Sequence, residues 1–309
     1  LRTVIGTNKI DSSARYGHVN TVTALQRVQG TSRWTLTFED IAAAEALLLV
    51  GTNITETNPI TGLRVKEAVK KHGASLITLE ALEPAIGTIS NIASLSTHHL
   101  SLHPEQMAMA VLWLIKAVCE DGLIDSALRQ RAPTYVQKLS ERVGHLSWQD
   151  LLANTGVAQE AFREAAATFA RASRGVILVG QIALRTPGAS GLATNLLDLL
   201  LLTGHHGRPG SGLAPLAEEN NEQGAIEMGT TAGFLPGAAL LTDIEARDRI
   251  ASAWKDNIPS GDSRSLLDIL EDARTGAVKA LFVVGDNPIG SLPPQAHTQE
   301  ALEKLDLLV

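Results

Sequence analysis

Three short apolar runs stop at a glycine, and they set the tightest limit on how this chain can fold. Ala46–Val50 stops at Gly51, Val176–Val179 at Gly180 and Ala280–Val284 at Gly285; a fourth run, Ser75–Leu79, stops at Glu80. A continuous apolar run of this length is the pattern of a strand buried on both faces, as parallel sheets require. Between the runs lie segments of helical period: Ile60–Lys71 stopped by Gly73, Pro104–Glu120 with proline in its first turn, Ala158–Ala172, Gly191–Leu202 stopped by Gly204, and Leu266–Arg274. Strands alternating with helices predict an α/β fold, with doubly wound, mostly parallel sheets and helices on both faces. Residues 205–224, rich in glycine, proline and polar side chains, read as a long loop. At about 150 residues per domain, the length of 309 predicts two domains. Residues 1–216 form the expected first α/β domain and 217–309 a second, incomplete one.

Composition removes several function classes. The net charge is -7 and aromatics make up 4% of the chain, so neither a basic nucleic-acid surface nor a base-stacking platform is expected. The single cysteine, Cys119, excludes an internal disulfide and a four-thiolate cluster within these residues. It lies in the apolar run Met107–Cys119 and reads as a buried helix side chain. The longest apolar run, Leu196–Thr203, contains Asp198 and falls far short of the ~20 residues that cross a bilayer, so no direct membrane insertion is expected. The chain opens without methionine and closes on the strand-like Leu305–Val309, which leads us to expect an excised fragment of a longer polypeptide.

Ligands of open α/β sheets lie at the carboxyl ends of strands. The loops there are Gly51–Pro59, Gly180-Gln181 and Gly285-Asp286-Asn287-Pro288. Glycine lets a phosphate approach the backbone, and free N–H groups at the next helix favour an anion. A glycine after a strand is also an ordinary turn, and each loop alone supports that reading more than a site. The remaining candidates are weaker. His98-His99 and His205-His206 are adjacent pairs whose rings point apart on a strand, so they are not expected to share a metal. Glu218, Glu219 and Glu222 lack the alternating oxygen spacing of a calcium loop and read as solvated. His72 and His145 read as surface residues.

Taken in order, the motifs resemble those of the molybdopterin oxidoreductases. Gly6–His18 is similar to the run that in the formate dehydrogenase branch ends in a cysteine or selenocysteine followed by histidine. Gly51–Pro59 resembles a Gly-x-Asn-x-x-x-x-x-Pro loop that touches the guanine dinucleotide half of the cofactor. Thr203–Gly212, Glu219–Ala225 with Met228-Gly229, and Gly285–Pro288 resemble further family segments. The resemblance implies formate dehydrogenase/DMSO reductase-like domains. It also implies cofactor-binding positions at Gly51, Asn53, Glu56, Asn58, Gly180, Asn220, Asn221, Gln223, Gly285, Asp286 and Pro288, retained or vestigial.

Four departures from the pattern bear on chemistry. Gly17 stands where the metal ligand would be, followed by His18. Ala217 stands where the family carries an arginine that orients an anionic substrate, and Glu218 and Glu219 add negative charge beside it. Glu80-Ala81-Leu82 replaces Asp-Pro-Arg, and His103-Pro104-Glu105 replaces a Gly-(Thr/Ser)-(Asp/Asn) loop. These losses imply no catalytic residue, with Gly17, His18 and Ala217 vestigial, no metal ligand and no cofactor in this fragment.

Of the family's branches, the pattern most resembles the degenerate domain of the large iron–sulfur subunit of NADH-quinone oxidoreductase, respiratory complex I. That resemblance implies iron–sulfur clusters only in a preceding region, partners among the other subunits of a respiratory complex, and a cytoplasmic position peripheral to the inner face of the cell membrane. The alternatives are a molybdenum or tungsten oxidoreductase binding molybdopterin guanine dinucleotide, and a nucleotide-binding regulatory module without redox chemistry.

Overall fold

The structure, a computed structural model, describes residues 1–34, 36–81, 92–259, 261, 263–292 and 295–309, without the side chains of Ala81, Gln295 and Ala296. Leu82 of the Glu80-Ala81-Leu82 run lies outside the described residues. The chain divides into two compact units, Tyr16–Asn220 and a second formed by Leu1–Arg15 with Asn221–Val309.

The larger unit is built on five parallel strands: β1 (Ala46–Val50), β2 (Ser75–Ala81), β3 (His98–Leu102), β4 (Gly175–Val179) and β5 (Gly212–Pro215), in the order β3-β2-β1-β4-β5. Every residue of β1 and of β4 is buried. Period-two alternation sorts these side chains between two cores. Leu48, Val50, Ile77, Leu79, Ile177 and Val179 face one core, shared with the helices His18–Gln29, Met107–Glu120, Gln159–Arg171 and Ala189–Leu202. Leu47, Leu49, Leu76, Val176 and Leu178 face the other, with Ile41, Val65 and Ala68 from the helices Phe38–Ala42 and Pro59–His72. Each fully buried leucine or valine contributes about 1.5–3 kcal/mol, so apolar strands covered on both faces are the stable solution. The doubly wound, mostly parallel α/β architecture is therefore the one expected.

Several polar residues inside this unit are paired. Asp198, mid-helix and buried, accepts from the Tyr135 hydroxyl at 2.7 Å and from Arg142 at 2.9 Å. Burial and that carboxylate push the Tyr135 phenol far above its ordinary pKa. The Lys116 ammonium meets Glu120 at 2.5 Å, and Lys116 and Arg163 both lie over the Trp148 ring. Cys119 is half-buried, accepts from Ser140 Oγ at 3.6 Å, and burial raises its thiol pKa. Among the described residues no helix is long and apolar enough to cross a membrane.

Several elements differ from the sequence reading, and β2 runs through Glu80 to Ala81 where the apolar run stops at Leu79. Residues 205–224 are not one loop, because β5 lies within them and pairs Val176–Val179 with Gly212–Pro215. Its glycine and proline ends hide the apolar core Leu213-Ala214 from any periodicity argument. The run Ala280–Val284 forms only a two-residue strand, β8 (Ala280–Leu281), parallel to β9 (Leu307–Leu308). Among the described residues β8 pairs on one side only, which leaves Val284 91% exposed.

In the smaller unit the antiparallel pair β6 (Phe234–Leu235) and β7 (Ala239–Leu240) lies between the helices Glu222–Glu227 and Ile244–Trp254 in the chain. Leu1–Arg15 is held there by buried polar bonds. Arg2 donates to Asn8 Oδ1 and to the carbonyls of Gly229 and Phe234 at 2.8–2.9 Å, and burial lowers its pKa. Lys9 pairs with Asp272. The buried Asp11 carboxylate accepts from Arg15, from Ala232 N at 2.8 Å and from Leu266 N at 2.7 Å.

Candidate functional site

The strand order reverses direction between β1 and β4, and this switch point is where an open α/β sheet presents its crevice. Val50 and Val179 end in register, and Gly180 N donates to Val50 O at 2.8 Å. The Gly51 and Gly180 loops are therefore brought together by the register of two buried strands.

These loops pack on each other. Gly51 has φ +57°, and a Cβ there would lie 2.5 Å from Ala183 Cβ, 2.7 Å from Ala183 N and 2.9 Å from Met107 Sδ. A Cβ on Gly180 would overlap Thr52 Cβ and lie 2.6 Å from Gly51 O. Both glycines are thus required by loop against loop. Asn53, half-buried, accepts from Thr55 Oγ1 at 3.1 Å, and Glu56 is exposed. Asn58 donates its amide to Ala217 O at 2.8 Å.

Gly17 precedes the helix His18–Gln29 with φ +157° and ψ −58°, a combination that L side chains rarely adopt. A Cβ there would overlap Gln181 Oε1 and lie 2.9 Å from Gln181 Cδ. Gln181 is itself buried. His18 is buried as well, its ring edge-on to Trp34 with centroids 5.5 Å apart. At the end of β5, Ala217 offers its carbonyl to Asn58. A guanidinium does reach this edge, from a different element than the motif predicted: Arg185 donates to Tyr16 O at 3.1 Å and pairs with Glu218 at 3.1 Å. Nothing in the spacing of the chain singles out Arg185, because Tyr16 and Glu218 lie on two segments remote from it and from each other.

The other candidate residues divide as follows. Asn220 is exposed at the end of the larger unit. In the smaller unit, Asn221 takes a left-handed conformation and caps the helix Glu222–Glu227 through Gly224 N at 3.1 Å. Gln223 donates to Glu227 at 2.7 Å. Gly285 has φ +67°, Asp286 accepts from Asn287 N and Ser291 Oγ, and Pro288 opens the next helical turn. Of the replaced loops, Glu80 lies 3.7 Å from His99 Nδ1, and His103 N is bonded to Gln106 Oε1 at 2.7 Å. Glu219 is exposed and Glu222 buried.

Each histidine of the adjacent pairs has its own partner. His98 meets Thr168 at 2.8 Å and His99 meets Thr78 at 2.9 Å. His205 donates from Nε2 to Ala172 O at 2.9 Å, keeps Nδ1 2.8 Å from Thr203 Oγ1, and packs edge-on against Phe169. His206 lies 3.2 Å from Gln29 Oε1. Burial lowers the pKa of both His205 and His206. The native state keeps these rings neutral, whereas the unfolded chain takes up protons below about pH 6.5. Their contribution to stability is therefore complete above that pH and is lost as pH falls toward the folded-state values, by at most ~1.4 kcal/mol per pH unit for each ring. Replacing His205 with asparagine should flatten the acid limb of a Tm-against-pH profile below about pH 6.5. An unchanged slope would show that His205 does not titrate differently in the two states.

A molybdopterin dinucleotide fits this edge poorly at its metal end. The volume beside residue 17 is taken by Gln181, the switch-point loops cover each other, and the groups at hand are amides and an ion pair in place of a thiolate and a free guanidinium. No reaction step follows from such a donor set.

Comparison with known proteins agrees with the family that the motifs resemble. The family model described as molybdopterin oxidoreductase matches residues 1–309. The NADPH-Fe(3+) oxidoreductase subunit alpha of Geobacter sulfurreducens is 29% identical over 309 residues, covering 100% of this chain and 35% of that protein. The F420-dependent formate dehydrogenase subunit alpha of Methanocaldococcus jannaschii is 27% identical over 308 residues, covering 100% of this chain and 44% of that protein. Acetylene hydratase from Pelobacter acetylenicus shares the fold with a TM-score of 0.67 at 19% identity, over 96% of this chain and 42% of that one. The chain thus spans less than half the length of these relatives.

Proposed function

Because this chain belongs to the molybdopterin oxidoreductase family, and because its position 17 is shaped for glycine, we propose that it is a non-catalytic domain of that family. In this reading it is a structural part of the large iron–sulfur subunit of an NADH-quinone oxidoreductase. It supports electron transfer that runs through clusters elsewhere in the polypeptide. Its partners are the other subunits of that complex, on the cytoplasmic side of the membrane. The observation that carries the reading is the overlap between a side chain at residue 17 and the buried Gln181. The carbonyl bond of Ala217 and the Arg185–Glu218 pair support it, since neither leaves a cation to orient an anionic substrate.

A second reading is a molybdenum or tungsten oxidoreductase that binds molybdopterin guanine dinucleotide. It is favoured by similarity that covers the whole chain to proteins named as formate dehydrogenase and NADPH-Fe(3+) oxidoreductase alpha subunits.

Elemental analysis of the full polypeptide, purified with its partner subunits, separates the readings. Neither molybdenum, tungsten nor acid-released guanine nucleotide is expected. About one metal atom per chain would replace the first reading by the second. Guanine nucleotide without metal would favour a nucleotide-binding module.

A further inference from the structure

We propose that the switch-point crevice is closed from within: Gln181 fills the volume that a side chain at residue 17 would need, and the segment from Leu216 to Glu218 is strapped over the same edge by Asn58 and Arg185. The inference deepens the non-catalytic reading and rests on it for its meaning. It explains what replaces the lost chemistry, which the absence of a ligand at residue 17 does not.

Four segments of the larger unit meet here, and each is bonded to another. Asn20 Nδ2 donates to Leu184 O at 3.1 Å, fixing the first turn of His18–Gln29 to the turn that carries Gln181. Arg185, at the end of that turn, reaches back to Tyr16 O and sideways to Glu218. Asn58 holds Ala217 O, and Leu216 N continues the β4 ladder to Val179 O at 2.8 Å. Gln181 lies in the middle and is 2% exposed. Protein interiors are packed at crystal density, so a buried amide that already occupies a volume excludes a second group unless one of them moves. Asn58 and Gly180, which the motifs assign to a nucleotide, are spent on this closure instead.

The test is a mutant cycle on the full polypeptide with its partners, read by hydrogen exchange at the amides of residues 17–20 and 181–185. Gly17→Ala should speed exchange there by at least about tenfold. Adding Gln181→Ala should remove the steric part of that effect and leave the part due to the backbone conformation at residue 17, so Gly17→Ala should speed exchange markedly less in the Gln181→Ala background than in the unmutated protein. Effects that simply multiply would overturn the plug. If Gly17→Ala does not fold, the strap is tested alone. Asn58→Ala and Glu218→Ala should each speed exchange at residues 216–218, and unchanged exchange would overturn that part. GDP titrated to millimolar concentration should leave exchange of the unmutated protein unchanged. Protection of the Gly51–Asn58 amides by GDP would show an open crevice and overturn the inference. The proposed function fails on metal content and this inference on exchange, so the two failures are distinguishable.

Discussion

Gly51→Ala is expected to destabilise the larger unit by about 2–5 kcal/mol, more than an exposed glycine replacement. Two independent costs add. Gly51 has φ +57°, where an L side chain loses roughly 1–2 kcal/mol. The new methyl would also sit 2.5 Å from Ala183 Cβ and 2.7 Å from its backbone nitrogen. Met107 Sδ, at 2.9 Å, can move aside, but the Ala183 backbone moves only with the turn between β4 and the helix Ala189–Leu202. Overpacking of this kind costs about 1–3 kcal/mol. Gly73→Ala is the control: it has φ +72° and no neighbour within 4 Å of the added carbon, so it should cost only the conformational part, about 1–2 kcal/mol. Chemical denaturation of both variants measures the difference. Equal losses would mean that the two loops part easily and that the close packing at the switch point is not maintained in solution.

Asp11→Ala should cost the smaller unit about 3 kcal/mol and free its first residues. The Asp11 side chain is 0% exposed and serves three donors at once: Arg15, Ala232 N and Leu266 N. Leu266 begins the helix Leu266–Arg274, so Asp11 also places negative charge at a helix N-terminus from a segment far away in sequence. Alanine leaves two N–H groups and a guanidinium without that acceptor. Arg15 is 28% exposed and can turn to water, which holds the loss at the lower end of the range for a broken buried pair. Asn should lose less, since one carbonyl oxygen remains, although its amide N–H₂ then faces a donor. Limited proteolysis after Lys9 and Arg15 gives the second readout, and cleavage should accelerate in Asp11→Ala. Unchanged cleavage together with unchanged stability would show that Arg2 and Lys9 hold the segment by themselves.

The motif residues show how far a chain can be read before it is folded. The Gly-x-Asn loop after β1 was recognisable, and so was the missing ligand at residue 17. Why Gly51 and Gly180 must be glycine was not, because the atoms that crowd them, Ala183, Met107 and Thr52, come from other elements. Gln181 stood in a candidate strand-end loop, but nothing marked it as the side chain that meets residue 17, and Arg185 carried no signal of its own. β5 escaped because Gly212 and Pro215 break the apolar pattern at both ends of a four-residue strand. The strand at Ala280–Leu281 is shorter than its apolar run because such a run states a preference for burial, and among the described residues it gains one short neighbour.

From the residues alone came the strand and helix periodicities, the α/β class, the family motifs in order, and the loss of the motif groups that would do chemistry. Those are properties of neighbours along the chain, and period and residue type record them directly. The strand order, the meeting of the β1 and β4 loops, and the filling of the space beside Gly17 were decided only by the folded chain. Volume is shared between segments remote in sequence, and no local pattern states which of two distant side chains will occupy it.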